Sequence, residues 1–197
     1  MMQKSLNDAR EMLLRGWEIL FRALRFYGAN LPAILLIMSF AAVGRALQLG
    51  AAGPPGPLWS GILEVAVEGS RALFVVFLIG HGSVRQGYRN VLALFGKGRA
   101  NWHGAANEGT SSRRVDWAGM VLSLLLFGLV AWGMNVMIAS VASRPDLLAG
   151  LRRCGYMAED ANPYGVLLFM KNLTVIPLTL VFNYVLVMFA IGQMRRS

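Results

Sequence analysis

Four apolar runs constrain this chain more than any other feature. They extend from Asn30 to Leu49, Leu58 to Gly80, Trp117 to Val141 and Tyr164 to Ile191. Each is near the roughly 20 residues that a helix needs to cross a hydrocarbon core about 30 Å thick. Composition agrees, since 56% of positions are hydrophobic and only 15% charged, where soluble domains hold about 25% charged residues. Continuous runs replace the strand alternation of an outer-membrane barrel. The expected fold class is therefore all-α, an integral membrane bundle of four transmembrane helices with an N-terminal amphipathic interfacial helix. The chain opens on a charged segment longer than the basic region of a signal peptide, so the first span is expected to stay in the mature protein.

The formal net charge of +9 collects at the ends of the runs, not on a soluble face, which argues against nucleic acid as a partner. Lys4, Arg10, Arg15, Arg22 and Arg25 precede the first run. Arg85, Arg89, Lys97, Arg99, Arg113 and Arg114 lie between the second and third, and Arg195 and Arg196 close the chain. Threading four spans puts all of these on one side. The other side holds only Arg45, Arg144, Arg152 and Arg153, offset by Asp146, Glu159 and Asp160. The positive-inside rule then makes both termini cytoplasmic, in a multi-pass protein of the cell (inner) membrane. The bilayer itself is the expected partner, its anionic lipids attracting each basic residue near the surface by about 1 kcal/mol. The lone Cys154 falls outside, and with His81 and His103 it makes no metal or haem site of a usual kind. No cofactor is expected.

Residues 1–29 read as the interfacial helix and 30–197 as the transmembrane domain. Leu6, Leu13, Trp17, Leu20, Leu24 and Tyr27 recur at helical spacing, opposite Asp8, Arg15, Arg22 and Arg25. Trp and Leu on one face with Arg on the other suit a helix lying in the headgroup region. Gly28 ends it, and Pro32 opens the next helix. The outer stretch "GAAGPPGPLW" is a turn. "SVRQGYRNVLALFGKG" is an amphipathic segment closed by Gly96, and "RANWHGAANEGTSSRR" has no periodicity. Ser143 and Asp146 form a capping-box spacing with Pro145 in the first turn, predicting a short helix to Arg153.

The second run, "GILEVAVEGSRALFVVFLIG", carries Glu64, Glu68 and Arg71, each costing at least ~2.5–3.5 kcal/mol at mid-bilayer unless paired or turned inward. At about 100° per residue, Ser60, Glu64, Glu68 and Arg71 share one stripe, with Ile62, Leu73 and Phe77 opposite. A rise of about 1.5 Å per residue puts Glu64 roughly 9 Å, Lys171 roughly 10 Å and Asn135 about 12 Å inside their outer ends. Glu64, Glu68, Arg71, Asn135, Lys171 and Asn172 thus form an intramembrane polar layer, with Lys171 the expected counter-charge to the glutamates. Pro177 cannot donate to the Leu173 carbonyl and should kink the fourth span, while Thr179 and Asn183 extend its polar seam.

Metalloprotease, phosphate-loop and nucleophile-elbow motifs are absent, so no enzyme is expected. The run "EGSRALFVVFLIGHGSVRQG" from Glu68 to Gly87, with the four-helix size, resembles the small membrane subunit of tripartite periplasmic solute transporters. The long connection after it departs from that family. The function read from the residues is a non-catalytic membrane subunit of a larger complex, docking through the polar stripe of the second span. Other membrane subunits or self-association would supply the partner. The alternative is a small oligomeric transporter or channel for a proton, cation or small solute, using the Glu64/Glu68/Lys171 layer. A membrane-shaping protein relying on its interfacial helices is a weaker third reading.

Overall fold

The computed structural model describes residues 2–96, 117–159 and 162–192. His103, the aperiodic stretch around it, Lys97, Asp160 and the C-terminal arginines lie outside them, as do the side chains of Lys4, Leu6, Asp8 and Phe95. The described chain is all-helical: α1 (Met2–Ala29), α2 (Leu31–Gln48), α3 (Pro57–Ile79), α4 (Val84–Gly96), α5 (Trp117–Ala142), α6 (Pro145–Arg153), α7 (Tyr164–Leu173) and α8 (Val175–Ala190). Leu31–Gln48, Trp117–Ala142 and the α7–α8 unit Tyr164–Ala190 are long and apolar enough to cross a membrane. The charges of α3 leave it out of that set.

Two long interrupted helices organise the fold. Helix α1 passes into α2 through Asn30 alone, and hydrogen bonds bridge the joint, Asn30 N to Phe26 O at 3.1 Å and Ile34 N to Asn30 O at 3.0 Å. The other is α7–α8, interrupted at Thr174, where φ is −125° and ψ −74°. α2 packs on α3 and α7, whereas α1 packs on α5 and α8, so the two long helices run side by side in opposite directions. Their interruptions meet, because the Tyr27 hydroxyl donates to the Leu173 carbonyl at 3.3 Å. The helix breaks at Thr174, Pro177 lies just inside α8, and Tyr27 satisfies the carbonyl that Pro177 cannot.

One core runs through the bundle. Ile19, Leu20 and Ala23 of α1 are buried with Ile34 and Met38 of α2, Phe74 of α3 and Phe182 of α8. Phe127 of α5 stacks on Phe182 with ring centroids 4.1 Å apart. The inward face of α1 is therefore Gly16, Ile19, Leu20 and Ala23. Leu13, Trp17, Phe21 and Leu24 are exposed. A Cβ on Gly16 would press on Leu122 and the Gly119 carbonyl of α5. Successive 100° steps give α1 three faces: this packed one, the exposed apolar one beside it, and a charged one with Arg15, Glu18, Arg22 and Arg25.

Both ends of the bundle are tied across sequence. At one, Ala158 N donates to Ala51 O at 2.8 Å, joining the connections after α2 and after α6. At the other, Tyr184 Oη lies 3.0 Å from His81 Nδ1 in the α3–α4 turn. His81 has a positive φ of 51° there. Helix α4 folds closely back on α3, Asn90 donating to the Ile79 carbonyl at 3.1 Å. Helix α6 forms over Pro145–Arg153, but its N-cap is Arg144 without a side-chain cap. The capping box does not form, because the Ser143 hydroxyl donates back to the Ser140 carbonyl at 3.2 Å.

Candidate functional site

The short α2–α3 connection fixes an antiparallel hairpin, and its register brings the polar residues together. Gln48 Nε2 donates to the Ser60 carbonyl at 3.3 Å. One turn deeper Arg45 faces Glu64, and further along Ser70 Oγ bonds the Ile37 carbonyl. Gly44 admits this approach, since a Cβ there would collide with Val67.

Arg45 is the centre of the cluster. Its two terminal nitrogens grip both Glu64 oxygens, at 2.9 Å and 3.0 Å. Nη2 also reaches Glu68 Oε1 at 3.1 Å and Nη1 reaches Gln48 Oε1 at 2.8 Å. Gln48 Nε2 completes the ring by donating to Glu64 at 2.9 Å. A planar guanidinium fork suits such bidentate pairing, which a lysine could not reproduce. On the same helix Arg71 Nη1 donates to Glu68 Oε1 at 2.7 Å, and its Nη2 to Asn172 Oδ1 of α7 at 3.3 Å. Asn172 is 1% exposed, and its amide donates back to Leu168 O at 2.8 Å. Arg71 Nε is buried with no partner among the described residues.

The carboxylates are more open than the cations that hold them. Glu64 and Glu68 side chains are 50% and 52% exposed, against 24% for Arg45 and 29% for Arg71. Two arginines balance two glutamates, so the cluster is neutral but shows an acidic outer face. Among the described residues Glu68 bonds through Oε1, and Oε2 receives no hydrogen bond. Gly61 and Gly69, flanking the glutamates, look into open space, and Val65 between them is 75% exposed.

The polar layer read from the sequence divides into two places. Glu64, Glu68, Arg71 and Asn172 join on the α2–α3–α7 side, where Arg45 is the counter-charge and not Lys171. Among the described residues Lys171 makes no ion pair. Asn135 donates to Ala131 of its own helix at 2.8 Å. Lys171 and Asn135 belong by helical phase to the faces that α7 and α5 turn to each other. There a cavity of about 260 Å³ is lined by Ala139, Ala142, Ser143, Pro163, Tyr164 and Leu167. The interface residues assigned to α1 are at its surface, with Trp17 57% exposed and Arg22 paired with Glu18 at 2.8 Å. Arg15 and Arg25 are also exposed.

Sequence reasoning missed Arg45 and Gln48. Charge alone groups Arg45 with the outer flanking residues, yet counting back across the short turn places it opposite Glu64. Fold and site together define an all-helical protein of membrane-spanning composition with a charge-balanced polar cluster on one helix face. Comparison with family models, with curated proteins and with solved structures finds no match to this chain.

Proposed function

We propose that this chain is a non-catalytic integral membrane subunit of a larger membrane protein complex, docking through the polar face of α3. The carrying observation is the pair of half-exposed carboxylates, Glu64 and Glu68, on a face whose glycines leave room for another backbone. Lipid cannot solvate such a face, whereas a partner helix offering donors can, and small residues favour close helix approach.

The reading takes α3 as a fourth span. Contacts from Ser60 to Ser70 hold it antiparallel to α2, so it lies at the same depth as a helix of spanning length. The Ala51–Ala158 hydrogen bond supports an even count, because it puts the connections after α2 and after α6 on one side. With charge asymmetry this favours cytoplasmic termini in the inner membrane, the part of α1 around Trp17 emerging beside the start of α5 at the cytoplasmic interface among anionic lipids.

The test blocks the face without touching the cluster. Native purification in mild detergent should recover the chain in an assembly larger than itself. Val65→Trp should leave the yield unchanged and release the partners. Wild-type chain that elutes alone would defeat the proposal. If the purified chain carried ions or solutes in liposomes, with Glu68→Gln abolishing flux, the transporter alternative would replace it.

A further inference from the structure

The α3 face needs a donor, and the chain carries an intramembrane cation with no acceptor among the described residues. Among the described residues Glu68 Oε2 receives no hydrogen bond and Lys171 has no ion pair. Both are expensive in a bilayer while they stay apart. We infer that the partner seated on α3 is a second copy of this chain, Glu68 of one copy meeting Lys171 in the α5–α7 groove of the next. This rests on the docking reading of α3 and names its occupant.

Depth supports the pairing. Arg71 bonds Glu68 at 2.7 Å and Asn172 at 3.3 Å, so Glu68 and Lys171 lie within about one helical turn of each other in depth. Copies related by an axis along the membrane normal keep that match.

Direction explains why the pair does not close within one chain. Asn172 turns towards α3, and Lys171, one residue earlier, is rotated by about 100°. It shares its face with Tyr164 and Leu167, which line the groove against α5. Donor and acceptor thus occupy different sides of one molecule, the condition for a heterologous, head-to-tail contact. An isologous α3–α3 contact is disfavoured, because it would set the exposed carboxylates of two copies against each other. The groove suits a helix bearing small residues, being open above Lys171 where Gly61 and Val65 would enter. Asn135, one turn below Ala139 on α5, adds a polar floor.

Site-directed crosslinking in native membranes tests this. In a Cys154→Ser background, Val65→Cys and Leu167→Cys each lie about one turn above the proposed pair on their own helices. Differently tagged copies, one with each change, should be joined by a short bismaleimide. A copy carrying both should give a ladder beyond the dimer. Adding Lys171→Leu should remove most of the adduct while membrane-inserted chain stays at its normal level. Val65→Cys copies joined only to each other would overturn the inference in favour of the isologous contact. Val65→Cys joined to a different polypeptide would overturn it and leave the docking reading standing. No adduct at all would overturn both.

Discussion

One guanidinium, that of Arg45, holds two carboxylates, and its planar fork is why it can. Both Glu64 oxygens and one Glu68 oxygen lie within 3.1 Å of its terminal nitrogens. Arg45→Leu should strand Glu64, to which no other cation among the described residues is bonded, and lower membrane-inserted yield, read by fluorescence size-exclusion profiles. Adding Glu64→Leu should recover part of the loss, since Glu68 keeps Arg71. Adding Glu68→Leu should not, because Glu64 would retain only Gln48. Equal behaviour of the two double variants would show that Arg45 acts through packing alone. At this scale the helical period made Glu64, Glu68 and Arg71 legible as one stripe. Depth counting alone then pointed to Lys171, because it sets how far a residue lies from the membrane surface but not which way it turns. The loop-closed register of α2 against α3 supplies that direction.

The elements differ in how much of their packing the sequence shows. Apolar length marks α2, α5 and α7–α8 unambiguously. Amphipathicity marks α1 and α4 but leaves the packed face open, since α1 carries two apolar faces and the one with Trp17 is exposed. The packed face is marked instead by Gly16 and Ala23, small residues whose signal in a single sequence is faint. The same device fixes α4. Gly80 and Gly87 let the two helices touch, and a Cβ on Gly87 would run into the Val76 carbonyl. Backbone cannot yield as a side-chain tip does. Gly87→Ala should therefore cost about 1–3 kcal/mol and free α4 from α3, measured as a lower unfolding temperature in detergent and faster amide exchange at Asn90. Gly133→Ala on α5, which meets nothing within the chain and lies away from the α3 face, is the control: it should leave Asn90 exchange unchanged and the unfolding temperature at or slightly above the wild-type value, since alanine is the better helix former.

At the scale of the whole molecule, the paired interruptions at Asn30 and Thr174 and the two tied ends fix which connections share an end of the bundle. The turn after α2 and the segment after α6 are held together at one end by Ala158 and Ala51. The α3–α4 turn meets the lower part of α8 at the other, through His81 and Tyr184. Cys154 is exposed at the first end and Arg85 at the second, so thiol labelling can read both. In intact cells a membrane-impermeant maleimide should label Cys154. In a Cys154→Ser background it should label Arg85→Cys only after lysis. The pair of positions also tests the span count. With a cytoplasmic N-terminus and α3 left out of the membrane, the α3–α4 turn would face outward and the segment after α6 inward, reversing both results. Labelling of Arg85→Cys in intact cells together with protection of Cys154 would reject four spans with cytoplasmic termini, and an N-terminal tag that then stays protected until lysis would take α3, with Glu64 and Glu68, out of the bilayer.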